Sequence, residues 1–351
     1  MKTVPHAAVL VLVAATCHAQ SLATIEQAID AQVSAKKFMG SVLIARGEDV
    51  VFTKGYGEAN LEWGIANAPS TKFRLGSITK QFTAASILLL EERGKLKTTD
   101  AVKSHVTDAP AAWDGITLHH LLTHTSGIPN FKSAPDYRAS MASATTAEQT
   151  IARFRDKPLD FAPGAKMSYS NSGYIVLGAI IEKISGTSYA NFLEENIFKP
   201  LGMKDSGYDT ASAILPRRAA GYVAGPQGPS NAPFLHMTIP FAAGALYSTT
   251  EDLLRWNLAL FGGKLLSPAS VEKMTTPALN NYALGLVVRT VNGRKVVQHN
   301  GGINGFNTFL SYYPESRITI AVLANLNGPA ADQLGPQLGA IAHGDAVGKP
   351  Q

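Results

Sequence analysis

The sequence predicts an α+β fold in which both ends of the chain contribute to one antiparallel sheet. Two β-rich runs joined by a short turn lie near the start, at residues 41–46 and 50–54. Further β-rich runs lie near the end, and a helical, loop-rich stretch separates the two groups. Because short hairpin links imply antiparallel pairing, we expect a sheet subdomain flanked by helices (20–95 plus 281–345) and a mostly helical inserted subdomain (96–280).

The first 95 residues are predicted to form a helix, a hairpin and a second helix. Apolar residues at helical spacing predict an amphipathic helix over 24–37. The hairpin follows, with residues 47–49 as its turn. Residues 77–93 form a helix that is apolar on almost every side and ends before Gly94. We expect this helix to be central and buried, since it has no polar face to present to water.

Two hairpins and a terminal helix are predicted after residue 280. Asn292-Gly293 is a strong signal for a tight turn, and residues 314–316 form the second turn. The terminal helix covers about 330–342. The predicted strands are 286–290, 295–299, 306–313 and 317–323.

Residues 1–19 have the pattern of a secretory signal peptide. Lys2 supplies positive charge, residues 7–15 form an apolar stretch too short to span a bilayer, and small residues favour cleavage after Ala19. The alternative is a lipoprotein anchored through Cys17. Cys17 is the single cysteine, so the cleaved protein has no disulfide and no cysteine nucleophile. We expect an exported, periplasmic or extracellular protein.

Composition and charge exclude several other classes of protein. Hydrophobic residues make up 45% of the 351 residues and charged residues 16%, as in ordinary globular proteins. The formal charge is +5, but the basic residues are scattered rather than clustered, so nucleic-acid binding has no support. After the signal peptide no apolar run is long enough for a stable membrane insertion.

Ser77 and Lys80 form the first candidate catalytic pattern, within Gly76-Ser77-Ile78-Thr79-Lys80. Three residues apart on a helix, the two side chains share a face, with Cβ atoms about 5–6 Å apart. A serine hydroxyl needs a base to become a nucleophile, and a lysine serves when burial and nearby positive charge lower its pKa. A serine that only caps the helix gives the same pattern, so the motif needs support from elsewhere.

Two later patterns add groups of the required kinds. In Tyr169-Ser170-Asn171 the phenol can relay a proton, and the amide can hold both a lysine and a substrate carbonyl. In His299-Asn300-Gly301-Gly302, at the end of a predicted strand, the histidine can supply a donor or positive charge, and the glycines allow close approach of a substrate. Alone, each also fits an ordinary helix-entry turn or surface loop.

Together the three patterns resemble those of the penicillin-recognising serine enzymes. This superfamily comprises serine β-lactamases, D-Ala-D-Ala carboxypeptidases, and esterases and D-amino-acid peptidases on the same scaffold. The segments LLTHTSG at 121–127 and AGALYST at 243–249 are similar to signatures of its class C β-lactamase-like branch. The resemblance covers roughly residues 25 to 340, and it implies a β-lactamase/transpeptidase-like fold and a serine hydrolase.

The resemblance also implies a role for each candidate residue. Ser77 is acylated, Lys80 assists its deprotonation, and Tyr169 is a shared acid and base that protonates the leaving group. The backbone N–H groups of Ser77 and Gly302 form the oxyanion hole. The implied substrate-binding residues are Asn171, His299, Asn300, Gly301 and Gly302.

One departure from the family pattern affects the expected activity. Class C β-lactamases usually carry lysine at the first position of the third pattern, where this chain has His299, and Asn300 replaces a hydroxyl that often binds a substrate carboxylate. We therefore expect a D-amino-acid peptidase, D,D-carboxypeptidase or esterase, with weak β-lactamase activity. The alternative is a non-catalytic protein on the same scaffold that binds peptidoglycan or a partner protein.

No cofactor or metal is predicted, and the expected ligand is a small-molecule or peptide substrate. His120 and His124 have the spacing of a helical zinc pair, but no third ligand is evident, so we expect this histidine cluster to pack beneath the site. The glycine pairs 262–263 and 301–302 lack the Gly-Lys-Ser/Thr of a phosphate loop. The sequence leaves the oligomeric state open. We expect the loops near residues 128–137 and 221–240 to determine substrate specificity.

Overall fold

A six-stranded antiparallel sheet lies at the centre of the computed structural model, which describes residues 21–345. The sheet strands are β1 (Gly40–Arg46), β2 (Asp49–Tyr56), β10 (Val287–Val291), β11 (Arg294–Ile303), β12 (Phe306–Tyr313) and β13 (Ile318–Ala324). Their order across the sheet is β10-β11-β12-β13-β1-β2. The α+β class and the antiparallel sheet shared by both ends of the chain are therefore confirmed.

The first and last long strands of the chain are central neighbours in this sheet. β1 and β13 pair without a register shift, from Gly40 opposite Ala324 to Arg46 opposite Ile318. The pairing joins residues that are 272 to 284 positions apart and closes the fold around the inserted segment. The division of the chain into two subdomains stays a prediction.

Eight shorter strands were not anticipated from the sequence. They form one two-stranded and two three-stranded sheets. Segments of two or three residues are too short to show the alternation by which strands are recognised. They are β3 (Glu58–Asn60), β4 (Ile65–Ala66), β5 (Phe73–Arg74), β6 (Gly207–Tyr208), β7 (Tyr222–Val223), β8 (Ser230–Asn231), β9 (Leu246–Ser248) and β14 (Leu326–Asn327).

Most of the helices lie between β2 and β10. The first described helix, α1, covers residues 21–34 and ends three residues before its predicted end. The others are α2 (Thr79–Glu92), α3 (Leu118–Leu122), α4 (Tyr137–Ser140), α5 (Ala147–Ala152), α6 (Asn171–Ser185), α7 (Tyr189–Leu193), α8 (Lys199–Leu201), α9 (Phe241–Gly244), α10 (Thr250–Phe261), α11 (Pro268–Met274) and α12 (Ala330–Ala342).

The sheet is covered on both faces, which creates two hydrophobic cores. On one face, residues of α1 and α12 such as Ile29 and Leu334 pack against Val42 of β1. On the other face, α2, α6 and α10 pack together, with Phe82 and Trp256 stacked at a ring-centroid distance of 4.0 Å. Burial of this apolar surface is the main favourable contribution to folding.

The start of α2 differs from the prediction in a way that affects the site. Residues Gly76–Ile78 form a 3-10 turn, and the α-helix begins only at Thr79. Gly76 has a φ of +55°, a conformation that glycine adopts without strain. Twelve residues of α2, Thr79 to Leu90, are buried, as expected for a central helix.

The predicted signal peptide and the prediction about membrane insertion concern different parts of the chain. The signal peptide at 1–19 lies outside the described residues. Within residues 21–345, no helix combines the length and the hydropathy that crossing a bilayer requires.

Candidate active site

The structure brings Ser77 and Lys80 into direct contact. The 3-10 turn presents Ser77, which is partly exposed, and Lys80 follows in the first turn of α2. Their Oγ and Nζ atoms are 3.2 Å apart. A hydroxyl at this distance from an amine can transfer its proton directly if the amine is neutral.

Lys80 is completely buried and has only neutral partners. Besides Ser77, its amine contacts the Asn171 side-chain oxygen at 3.0 Å and the Ala243 carbonyl oxygen at 2.8 Å. Burial, with a smaller contribution from the positive charge of Lys132, holds the pKa of Lys80 well below its ordinary value. The arrangement therefore favours a neutral amine that can accept a proton.

Tyr169 completes this cluster at the mouth of the cleft. Tyr169 is 38% exposed, and its hydroxyl interacts electrostatically with Ser77. The Lys80 amine lies 4.9 Å from the centroid of the Tyr169 ring. Desolvation raises the pKa of the Tyr169 phenol, and the interaction with Ser77 opposes this only in part, so the phenol keeps its proton at neutral pH. Tyr169 is thus better suited to donate a proton than to remove the first one.

His124 positions Tyr169 through hydrogen bonds to the flanking backbone and through ring contact. The His124 carbonyl accepts the Ser168 N–H at 2.9 Å, and its Nδ1 accepts the Ser170 N–H at 3.2 Å. Its ring lies 4.2 Å from the Tyr169 ring, centroid to centroid. The φ of His124 is +58°, an unusual value for a residue with a side chain. The histidine cluster was expected beneath the site, but this positioning of Tyr169 was not anticipated.

A cleft of about 330 Å³ opens above Ser77. Both loops that were expected to shape specificity, 128–137 and 221–240, contribute to its walls. Lys132 is the charged residue among those that line it. The lining residues are Gly76, Ser77, Asn130, Phe131, Lys132, Tyr137, Tyr169, Asn171, Leu235, Pro240, Ala243, Gly244, Gly302, Ile303 and Asn304.

Gly301 and Gly302 bring β11 against the turn that carries Ser77. A Cβ on Gly301 would lie 1.9 Å from the Leu75 carbonyl oxygen, which leaves no room for a side chain. The Gly302 nitrogen lies 3.0 Å from the position that a Cβ on Gly76 would occupy. The backbone of Gly302 therefore lies beside Ser77 and lines the cleft, as an oxyanion site requires.

The structure does not bring His299 or Asn300 to the cleft. His299 is buried behind Tyr282, whose hydroxyl donates to its Nε2 at 3.0 Å, while its Nδ1 donates to the Asn300 carbonyl oxygen at 2.5 Å. Burial lowers the pKa of His299 to about 4, with a smaller contribution from Lys80 when its amine is protonated, so His299 is neutral at pH 7. Alternation along β11 directs the exposed Asn300 side chain to the other face of the sheet, toward Asp332 of α12. The prediction that the side chains of His299 and Asn300 bind the substrate is therefore corrected, because neither side chain lines the cleft.

His120 and His124, which have the spacing of a zinc pair, make other contacts in the structure. Thr117 and His120 form a capping box at the start of α3, and the ring of His124 lies against Tyr169. Within residues 21–345 no three His, Cys, Asp or Glu side chains are grouped so that they could hold a metal ion. The chemistry that the cleft offers is that of a hydroxyl, an amine and a phenol.

Comparison with known proteins identifies the family. The model of the Beta-lactamase family matches residues 25–343, nearly all of the described chain. The chain belongs to the β-lactamase family. It is a serine hydrolase of the penicillin-recognising superfamily, as the three sequence patterns implied, and its β-lactamase/transpeptidase-like fold is confirmed.

Relatives of this β-lactamase-family protein carry several names. A penicillin-binding protein of Bacillus subtilis (strain 168) is 31% identical over 311 residues, which cover 82% of this chain and 68% of the relative. A solved octameric penicillin-binding protein homologue from Pyrococcus abyssi is 32% identical, with a TM-score of 0.83 over 92% of this chain and 78% of that one. A D-stereospecific amidohydrolase from Streptomyces is 27% identical, with a TM-score of 0.78 over 92% and 99% of the two chains.

Sequence reasoning missed two residues of the β-lactamase-family cleft. Asn130 joins the site because its Oδ1 lies 3.5 Å from the Asn171 amide nitrogen, and Lys132 lines the same wall. Both follow the 121–127 segment within a loop that was expected to shape specificity. Nothing in the local pattern separates them from ordinary surface residues, so only the folded loop identifies them.

Proposed function

We propose that this serine hydrolase cleaves amide or ester bonds through an acyl-enzyme on Ser77. The observation that carries the proposal is the convergence of Ser77, Lys80 and Tyr169 at one end of an open cleft. The favoured reactions are those of a D-amino-acid peptidase, D,D-carboxypeptidase or esterase. β-Lactam hydrolysis is proposed as a weak activity, because the third motif contributes no positive charge to the cleft.

The proposed reaction moves the Ser77 proton to Lys80 and from there, through Tyr169, to the leaving group. Ser77 Oγ attacks the substrate carbonyl carbon while its proton moves to neutral Lys80. The oxyanion that forms accepts hydrogen bonds from the backbone N–H groups of Ser77 and Gly302. As the tetrahedral intermediate collapses, Tyr169 protonates the leaving nitrogen or oxygen and regains a proton from Lys80. Water then hydrolyses the acyl-enzyme and restores Ser77.

The role of Asn171 in this scheme is to hold Lys80 and the substrate. Its Oδ1 contacts the lysine amine at 3.0 Å, and its partly exposed side chain also lines the cleft. An amide has both donor and acceptor groups, so Asn171 can orient the amine and still donate to a substrate carbonyl. Neither Asn300 nor His299 has a direct substrate contact in this scheme.

A labelling experiment tests the proposal. The purified protein, without residues 1–19, is treated with a fluorophosphonate and with a penicillin, and the adduct is located by mass spectrometry. Turnover is measured on a 4-nitrophenyl ester, a D-amino-acid peptide and a penicillin. We expect a Ser77 adduct, with ester or peptide turnover that the Ser77→Ala variant loses. Equal turnover by the variant would exclude Ser77, and binding without any adduct would favour the non-catalytic alternative.

We also propose that the chain is exported and cleaved near Ala19. The support is the sequence pattern of residues 1–19, a short apolar stretch preceded by Lys2 and followed by small residues. Amino-terminal sequencing of the protein recovered from the exported fraction tests this. A chain that begins at Gln20 is expected, whereas a lipid-modified Cys17 would establish the lipoprotein alternative.

A further inference from the structure

Lys132 is a cation without an anionic partner at the edge of the cleft. In residues 21–345 it takes part in no salt bridge, and its amine lies 5.7 Å from the centroid of the Tyr137 ring. No Asp or Glu side chain is among the described residues that line the cleft. Its positive charge also acts on buried Lys80 and contributes to the lowered pKa of that amine. The cleft therefore has a positive potential.

The turn that carries Lys132 is anchored to the site. Lys132 belongs to a 3-10 turn, Phe131–Ser133, that follows Asn130. The Phe131 N–H donates to Ser172 Oγ of α6 at 2.9 Å, and the Lys132 N–H donates to Asn130 Oδ1 at 3.3 Å. Since α6 begins with Asn171, the same helix holds both the Lys80 partner and the turn of Lys132.

Among the described residues, the opposite wall of the cleft offers no competing cation. It is formed by β11, where His299 is buried and neutral and Asn300 points to the other face of the sheet. Leu235, Pro240 and Ile303 make the remaining surface largely apolar. An anionic substituent on a bound molecule thus has one charged partner available, on the Asn130–Lys132 side.

We propose that Lys132 pairs with a carboxylate, or a similar anionic group, on the substrate, and so determines specificity. The inference rests on the proposed function, because it concerns a substrate cleaved at Ser77. The same electrostatics disfavour substrates that carry a free ammonium group near the scissile bond, since no carboxylate lines the described cleft to receive it. The preferred substrate is an anionic ester or N-acylated peptide rather than an α-amino amide.

Matched substrates test this proposal on either side of the scissile bond. On the acyl side, 4-nitrophenyl hydrogen glutarate is compared with 4-nitrophenyl pentanoate. On the leaving-group side, 3-carboxy-4-nitrophenyl butanoate is compared with 4-nitrophenyl butanoate. The ratio of kcat/KM within each pair measures the preference for the anion, after correction for the rates of hydrolysis without enzyme.

Substitutions at Lys132 assign the preference to this residue. We expect the wild-type protein to prefer the anionic substrate in at least one pair. Lys132→Met should reduce the ratio of kcat/KM for the anionic over the neutral substrate by about 10-fold, which is the effect of losing a charge-assisted hydrogen bond near the surface. Lys132→Arg should keep most of the preference, and added salt should weaken it. Lys54→Met is the control, because it removes another lysine that lies over a tyrosine ring, 5.2 Å away, on outer strand β2.

The outcomes separate this inference from the proposed function. Two results together would overturn the role of Lys132 and leave the proposed function intact. The first is turnover of the neutral esters that depends on Ser77. The second is a ratio of kcat/KM for the anionic over the neutral substrate that is the same in wild type and Lys132→Met for both pairs. No turnover of any substrate by wild type would overturn both. Unchanged melting temperatures of the Lys132 variants exclude misfolding as the cause of a lost preference.

Discussion

The amine of Lys80 lies 3.2 Å from the hydroxyl oxygen of Ser77, and its two other contacts are obligate acceptors. A neutral amine has two N–H groups and one lone pair. The Asn171 and Ala243 oxygens account for both N–H groups, so the lone pair remains for the Ser77 proton. The geometry and the lowered pKa of Lys80 therefore point to the same protonation state.

This relationship predicts that positive charge at position 80 is not sufficient for activity. Lys80→Met and Lys80→Arg should both lower kcat/KM for a 4-nitrophenyl ester by about 10²–10⁴-fold, the usual contribution of a general base. Arginine remains protonated and cannot accept the Ser77 proton. Steady-state kinetics on both variants measure the loss. Near-normal rates for Lys80→Arg would contradict the base role of Lys80.

The lowered pKa of Lys80 predicts the pH dependence of acylation. The rate should fall as the pH decreases through the pKa of Lys80, because protonation removes the base, and this acid limb should lie well below the ordinary lysine range. Lys132→Met removes a positive charge that lowers this pKa, so the limb should move to higher pH. Single-turnover rates on a neutral ester between pH 4 and 9 measure both curves. A limb that moves to lower pH in Lys132→Met would contradict the electrostatic assignment.

Tyr169 should matter most for substrates with a poor leaving group. Tyr169→Phe keeps the ring over Lys80 but removes the hydroxyl that interacts with Ser77. Departure of an amine requires a proton, whereas nitrophenolate leaves without one. We therefore expect the variant to lose more kcat/KM on an amide than on a 4-nitrophenyl ester, by at least about 10-fold. Equal losses on the two substrates would show that Tyr169 does not protonate the leaving group.

Two neighbouring glycines of β11 should respond differently to alanine. A Cβ on Gly301 would overlap the Leu75 carbonyl and Thr308 Oγ1, which lies 2.3 Å away, whereas a Cβ on Gly302 would meet only Asn307 Nδ2, at 3.6 Å. Gly301→Ala should lower the free energy of unfolding by about 1–3 kcal/mol and reduce activity, because β11 must move away from the Ser77 turn. Gly302→Ala should change stability by less than about 0.5 kcal/mol. Urea unfolding compares the two variants.

Burial of neutral His299 predicts a loss of stability in acid. Its pKa is about 4 in the folded protein, against 6.5 for the unperturbed side chain, so the unfolded chain binds a proton first as the pH falls. The contribution of neutral His299 to the free energy of unfolding is constant above about pH 6.5. It decreases as the pH falls from there to about 4, by a total of about 3 kcal/mol. The difference in unfolding free energy between wild type and His299→Gln should narrow by this amount. A difference that does not change with pH would contradict the assignment.

Much of the fold could be predicted because its long elements carry strong local signals. The terminal helix was predicted at 330–342 and lies at Ala330–Ala342, and β12 matches its predicted range as well. The start of α2 was misplaced, because a 3-10 turn and a first helical turn have similar sequences, and only contact with β11 distinguishes them.

The sequence by itself determined which chemical groups this protein has, the family to which it belongs, and the pairing of its two ends in one sheet. Only the tertiary structure decided which of these groups share the cleft. Alternation along β11 requires His299 and Asn300 to face opposite sides, but neither side chain lines the cleft, because one face packs on Tyr282 and the other on α12. Lys132 reaches the cleft because its turn packs against α6, and such long-range packing leaves no local sequence signal.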